Sequence, residues 1–381
     1  MNIIVLGAGM MGRAIAFDLD KFSNFDKITV VDKDKNSLKL AEQFLKNKKV
    51  SFDILDVKKK NDVKKEFQRY DVVISAIPYY FNYDLTKVAI ETKTHFLDLG
   101  GNNNIVDKQR SLFKQAKENH VTVIPDCGLA PGMTSVIARD IVDFLDAVEF
   151  IKIRVGGLPL NPMPPFYYQI VFSPNGLINE YVEDALVLDH GKIVAKKSMT
   201  EIEKIKFPYP FGNMEAFLTS GGTSTMPYTF KNKVVYLDYK TIRYPGHCSM
   251  FKPLIDVGLA SEKPVEINGI KIIPRELFVD MLVEKLPVKG KDVVLVKLFG
   301  RGFKNGKKID LEYSIIDYYD EKNSLTSMMR TTGYPVSINA QLIEKGLISD
   351  YGVFGNEEII PTEMFFEELK KRKIILDKKI R

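Results

Sequence analysis

The chain opens with NIIVLGAGMMGRAIAFDL, an apolar run of strand length, a glycine turn and the apolar spacing of a helix, and continues into KITVVD. No other stretch narrows the fold as much. Gly7, Gly9 and Gly12 stand in G-x-G-x-x-G spacing. In this context Gly7 permits the tight turn, Gly9 lets a pyrophosphate approach the backbone, and Gly12 lets helix and strand pack closely. The helix amino terminus that follows offers unpaired N–H groups and the positive end of its dipole to phosphates. KITVVD ends in Asp32, twenty residues after Gly12, where an acid accepts the ribose hydroxyls of a dinucleotide. A carboxylate there repels a 2′-phosphate, so Asp32 points to NAD over NADP, although Lys33 and Lys35 soften the contrast.

The alternation of strand and helix patterns continues. VSFDIL precedes a charged amphipathic helix near 58–69, and DVVISAIP, THFLDLGG and HVTVIP read as further buried strands. Helical patterns separate them, which predicts a Rossmann-type, doubly wound parallel sheet of the α/β class. Such sheets bind ligands beyond the carboxyl ends of their strands. That rule lines up Asp56, Ala76, Ile77, Pro78, Asp98 and Asp126 along one crevice. Asp56 is a candidate for the adenine edge or a plain helix cap. The 76–78 backbone is a candidate for the pyrophosphate or nicotinamide ribose. Asp98 is expected at the cofactor or as a stabiliser of the LGGN turn.

From about residue 148 the pattern changes. VEFIKIRVGGLP, FYYQIVF, KVVYLDYKTIRYPG, VEINGIKIIP, DVVLVKLFGRG and KKIDLEYSIIDYYD are β-rich, with hairpin signals at Asn268-Gly269 and Asn305-Gly306. Helices near 249–259 and 274–286 complete a second, α+β domain with a largely antiparallel sheet. Near 326 the pattern turns helical again. The expected organisation is a nucleotide domain over 1–128, completed by helices at about 330–381, and a second domain over 129–329.

Composition excludes several classes. The 55 basic and 49 acidic residues are mixed along the chain, and the basic runs lack the interleaved aromatics that stack on nucleic-acid bases. No run approaches the length of a membrane span, and the amino terminus enters a strand at once, so a cytoplasmic protein is expected. Two distant cysteines and four histidines without ligand spacing predict no metal site.

Two stretches of the second domain are costly unless used. FLTSGGTSTMP is a glycine turn with five hydroxyls, and YKTIRYPGHC ends a strand on Arg243 and His247. Arginine can hold a carboxylate in a two-pronged fork.

The ordered series GAGMMG, DLGGN, IPDCGLAPGM, VGGLP, EAFLTSGGTST, YKTIRYPGH and RTTGYP resembles the saccharopine dehydrogenase-like oxidoreductases, and among them the lysine 6-dehydrogenases. The resemblance runs from Met1 to about Lys371. It implies an NAD-binding Rossmann domain, a substrate-binding domain that makes a homodimer contact, and a carboxyl-terminal return to the first domain. It puts NAD on Gly7, Gly9, Met10, Met11, Asp32 and the 76–78 strand end. It puts an amino-acid substrate near the 126–132 turn, including Gly128, and near Glu215, Thr223, Arg243 and His247. Cys127 receives no role.

The reaction this implies is NAD-dependent oxidation of L-lysine at its ε-carbon, giving an aldehyde and ammonia. A lysine ammonium has a pKa near ~10.4, so the site must accept a proton. Asp126 can also face the positive charge that develops on nitrogen, with His247 second in line as proton acceptor. Saccharopine dehydrogenase is the alternative, needing cations for three carboxylates, for which Arg154 and Arg330 stand beside Arg243. Further alternatives are an amine-forming reductase and a non-catalytic NAD-binding regulatory protein.

Overall fold

The computed structural model describes residues 1–45, 49–287 and 290–381, which form two compact units. The first comprises Met1–Asp143, Ser224–Thr229 and Met329–Leu376. Its strands β1 (Asn2–Leu6), β2 (Lys27–Asp32), β3 (Val50–Ile54), β4 (Val72–Ser75), β5 (His95–Asp98) and β6 (Thr122–Ile124) form a parallel sheet. The order is β6-β5-β4-β1-β2-β3, and the short strand Gly352–Val353 adds a seventh member beside β6. Ile3, Ile4, Val5 and Leu6 are all fully buried. Helices cover both faces of such a sheet, which is why its central strand reads as an unbroken apolar run.

The carboxyl-terminal return is held by a buried ionic cluster. Arg372 Nε donates to Asp18 of α1 (Met10–Phe22) at 2.7 Å, and Ser337 Oγ and Gln341 Nε2 also donate to that carboxylate. Removing one partner would strand a charge away from water.

The second unit comprises Phe144–Thr223, Phe230–Met328 and Asp377–Arg381. It is built on β7 (Ala147–Pro159), β8 (Ala185–Asp189), β9 (Lys192–Lys196), β10 (Glu203–Lys206), β11 (Asn213–Leu218), β12 (Val234–Arg243), the β13–β14 hairpin (Val265–Ile267, Ile270–Ile272), β15 (Asp292–Lys304) and β16 (Lys307–Tyr318). Its large sheet runs β10-β11-β12-β7-β15-β16, then the terminal strand Asp377–Ile380, with the β8–β9 hairpin attached to β12. Only the β7–β12 pairing is parallel. Asn268 and Asn305 take φ of 51°, and Gly269 and Gly306 follow at 80° and 74°, the left-handed pair a tight hairpin needs.

The bounds differ from those expected. Residues 129–143 lie in the first unit, because the helix Met133–Phe144 continues directly from the turn after β6. Residues 377–381 pair with β16 and lie in the second. FYYQIVF is not a strand. Tyr168, Gln169, Ile170 and Val171 are buried in succession, so no face alternates, and Tyr167 has φ of 52°. Among the described residues no helix is long and apolar enough to cross a membrane.

Candidate active site

The glycine turn of the first unit is shaped for a dinucleotide. Gly7 has φ of +102°, where a side chain is strained. A Cβ on Gly12 would lie 1.7 Å from the Gly7 oxygen, whereas one on Gly9 would meet nothing within 4 Å. The turn is therefore packed beneath Gly12 and open above Gly9, as a bound pyrophosphate requires. Asp32 braces it: Oδ2 accepts the Ala8 N–H at 2.8 Å and Oδ1 accepts the Asp34 N–H at 2.9 Å. Ala76 donates its N–H to the Leu6 carbonyl at 2.8 Å, setting the 76–78 backbone beside the turn, with Ala76 and Ile77 half-buried and Pro78 exposed.

Asp56 accepts the Lys58 N–H at 3.0 Å, which makes it a turn cap. It also borders an open cavity of about 760 Å³ lined by Lys33, Asp34, Ile54, Leu55 and Lys59 among others. Asp98 is engaged within the fold. It is fully buried, with Oδ1 accepting from Gly100 N and Asp126 N and Oδ2 from Gln109 Nε2 at 2.7 Å. These contacts fix its own turn, tie it to the helix Asn103–Arg110 and fasten it to the turn after β6. Burial raises its pKa to about 6.

Asp126 is built differently. It is buried, at φ of 59°, and one carboxylate oxygen, Oδ2, accepts the Ser224 hydroxyl. The other, Oδ1, has no side-chain partner among the described residues and is itself closed from solvent beside the Gly100–Gly101 backbone. A Cβ on Gly100 would stand 1.5 Å from Oδ1, so only glycine leaves that oxygen its place. Burial, then the charge of Asp98, pushes the pKa of Asp126 up to about 7, while the Ser224 hydrogen bond pulls it down. A carboxylate poised near neutrality is suited to accept a proton. Gly128 shapes the same turn: its carbonyl accepts the Met133 N–H at 2.8 Å, and its backbone crowds Gly132. Cys127 is buried, with Sγ on the Ile124 carbonyl at 3.1 Å, and burial raises its thiol well above the usual range.

In the second unit the structure brings Arg243 and His247 together through a residue that sequence reasoning missed. Tyr181, on the helix Pro174–Val182, accepts from Arg243 Nε and meets His247 Nε2, each at 2.9 Å. Nδ1 of His247 lies 2.9 Å from the Phe166 carbonyl, which can only accept. The ring is therefore protonated on Nδ1, and Nε2 accepts from Tyr181. His247 is fully buried and stacked between Phe217 and Phe251. Burial, then the Arg243 charge, lowers its pKa to about 3. A neutral ring with both nitrogens taken is no proton acceptor, so the expectation for His247 is corrected. It orients Tyr181.

Arg243 is buried, with its Nη1 on Thr241 Oγ1 (2.8 Å) and the Ile242 carbonyl (2.9 Å), and its guanidinium over the Tyr168 ring. Nη2 has no hydrogen bond to the described residues. Two other expectations need correcting. Glu215 accepts Gly246 N and Cys248 N at 2.8 and 2.7 Å, so its carboxylate caps the helix His247–Asp256. Thr223 Oγ1 donates to the Leu186 carbonyl at 2.9 Å, which tethers β8. The hydroxyl that reaches the Asp126 carboxylate is that of Ser224, one position on. The SGGTST composition signals a hydroxyl, but not which one.

The first unit has the build of a dinucleotide-binding oxidoreductase domain with a buried, nearly neutral acid beyond its strand ends. Residues 3–124 match the saccharopine dehydrogenase NADP binding domain and residues 128–375 the saccharopine dehydrogenase C-terminal domain. The chain belongs to the saccharopine dehydrogenase family, oxidoreductases that act on a C–N bond with a nicotinamide dinucleotide. It is 23% identical to saccharopine dehydrogenase [NADP(+), L-glutamate-forming] of Saccharomyces cerevisiae, with 97% of each chain covered. It is 22% identical to the mitochondrial alpha-aminoadipic semialdehyde synthase of Rattus norvegicus, covering 78% of this chain and 33% of that one. The solved apo saccharopine dehydrogenase (L-Glu forming) of S. cerevisiae shares the fold, with a TM-score of 0.81 at 20% identity over 100% of this chain and 99% of that one.

Burial of Asp126 has a consequence for stability. Its folded pKa lies above the unfolded carboxylate value near ~3.9. The stabilising contribution is therefore complete below that value and lost as pH rises through about 7. Asp126→Asn removes this dependence. Its melting temperature relative to the unsubstituted protein is expected to be higher at pH 8 than at pH 5, as read by differential scanning fluorimetry. An equal offset at both pH values would show that Asp126 titrates at an ordinary carboxylate pKa.

Proposed function

We propose that this protein oxidises the secondary amine of saccharopine, or of a closely related N-substituted amino acid, releasing an amino acid and an aldehyde. The observation that carries the reading is Asp126, a buried acid of raised pKa at the carboxyl end of a dinucleotide-binding sheet. The end-to-end likeness to a glutamate-forming saccharopine dehydrogenase supports the choice of substrate.

The substrate nitrogen is protonated at neutral pH and must lose that proton before its carbon can be oxidised. Asp126 accepts it. The dinucleotide, when bound, supplies the acceptor for the hydrogen that leaves carbon with its electron pair. The resulting C=N bond adds water, and cleavage of the C–N bond releases the amino acid and the aldehyde. Once Asp126 has passed that proton to bulk water, its carboxylate faces the positive nitrogen as it forms. Within the second unit, Arg243 is the residue on which the family resemblance puts the substrate.

A second reading, oxidative deamination of lysine, is favoured by one observation. Arg154 is spent on Asp238, at 2.8 and 2.9 Å, and on Glu203, so it is not available for the extra carboxylates of saccharopine. A panel of saccharopine, lysine and ornithine, followed by reduced dinucleotide and mass identification of products, separates the readings. Turnover of lysine with release of ammonia would replace the first by the second. No turnover with any of them would favour a binding protein.

For the cofactor, we propose NAD over NADP. Gly7, Gly9, Met10, Met11 and Gly12 hold the pyrophosphate, and Asp32 faces the ribose. Because both Asp32 oxygens are fixed by backbone N–H groups, the carboxylate cannot swing away from a 2′-phosphate. A preference of at least about tenfold, roughly 1.4 kcal/mol, is expected in kcat/KM. Asp32→Ser should narrow it. Preference of the unsubstituted protein for NADP, as the names of its relatives carry, would assign the phosphate to the neighbouring lysines.

A further inference from the structure

We infer that Ser224 is a positioning residue for Asp126: its hydroxyl donates to Oδ2 and so sets both the orientation of the carboxylate and the pH at which it takes the substrate's proton. The inference rests on the reading of Asp126 as the base, and adds to it a residue 98 positions away in the chain.

Four observations lead to it. The Asp126 backbone is clamped from both sides, its N–H on Asp98 Oδ1 at 3.3 Å and its carbonyl accepting Asn356 Nδ2 at 3.0 Å. The Gly100–Gly101 backbone closes on Oδ1, and the Ser224 hydroxyl is the side-chain contact that holds Oδ2. Ser224 is itself held. The next residue, Thr225, donates to Glu357 Oε1 at 2.6 Å, and Thr229 donates to the same oxygen at 2.9 Å. Both partners of the Ser224–Asp126 bond sit in the left-handed backbone region without being glycine, at φ of 43° and 59°. Such backbone costs on the order of 1–3 kcal/mol per residue and persists where its surroundings over-determine it.

The direction of the electrostatic effect follows from the chemistry. The titratable groups around Asp126 are Asp98 at the end of β5, Glu357 and the adjoining Cys127 thiol. Both carboxylates disfavour its ionised form. The hydroxyl opposes them by donating to that form, which a protonated acid needs less. Loss of Ser224 therefore makes the base harder to ionise and leaves Oδ2 unheld.

The test compares Ser224→Ala and Ser224→Gly with the unsubstituted protein. Both variants lack the hydroxyl, but glycine accepts the left-handed backbone without strain. The readouts are kcat/KM for saccharopine against pH and an infrared titration, without substrate, of the carboxyl band that Asp126→Asn abolishes. Both variants are expected to move the acid limb and the carboxyl titration to higher pH, by about one unit for one lost hydrogen bond to the charged form. Their plateau kcat should fall about tenfold or more from lost orientation, with dinucleotide affinity unchanged. An unshifted limb and titration, or glycine behaving as serine does, would overturn the inference. Should no protein turn saccharopine over, the functional reading fails while the infrared shift still decides whether Ser224 governs the acid.

Discussion

Asp126→Asn is expected to lower kcat by about a hundredfold or more, the scale of losing one preorganised contact to developing charge. The amide matches the carboxylate in shape and can still accept from Ser224. It can neither take a proton nor face a positive nitrogen as an anion. Dinucleotide affinity should stay within about twofold, because the phosphate turn at Gly7–Gly12 shares no hydrogen bond with Asp126. In the unsubstituted protein kcat/KM should rise with pH through about 7 as Asp126 ionises. That limb should be absent from the variant. Near-normal turnover would leave Asp126 a turn residue. His247 could not replace it, since both its nitrogens are committed.

Arg243→Lys is expected to raise KM for the amino-acid substrate by about ten- to a hundredfold, or about 1.4–3 kcal/mol, the worth of a hydrogen bond between charged groups. An ammonium keeps the charge but not the planar fork. It also cannot hold Tyr181, Thr241 and the Ile242 carbonyl while still presenting a donor outward. Titration with the dinucleotide alone separates the explanations. Unchanged cofactor affinity with a raised KM assigns Arg243 to the substrate, and a joint loss assigns it to the fold.

Much of the first unit was legible because its signals are local. The glycine spacing, the acid twenty residues on and the unbroken apolar strands each sit within one short window. The Asn268-Gly269 and Asn305-Gly306 hairpins were legible for the same reason. The β8–β9 hairpin was not, since His190-Gly191 makes the same left-handed pair, at 51° and 72°, without the usual asparagine. The seventh strand, Gly352–Val353, is too short for a pattern and forms only because β6 offers an edge.

Roles set by distant partners were the least legible. His247 reads as a catalyst until Phe166 and Tyr181, 81 and 66 positions away, are seen to occupy its nitrogens. Glu215 and Thr223 read as polar groups awaiting a ligand until the helix start and the β8 carbonyl claim them. Gly222 in the hydroxyl-rich loop looks like room for a ligand, but a Cβ there would strike the Tyr239 ring at 2.3 Å. That glycine serves packing.

The central claim is that the protein cleaves the C–N bond of a secondary amine after oxidising it. The most direct test follows the nitrogen. Saccharopine labelled with heavy nitrogen at its bridging amine is incubated with the protein and oxidised dinucleotide, and the products are separated by mass. The account predicts one labelled glutamate per reduced dinucleotide, with an unlabelled semialdehyde beside it. Label recovered in lysine would reverse the side on which the bond is oxidised. Intact saccharopine, with lysine instead yielding ammonia, would contradict the account.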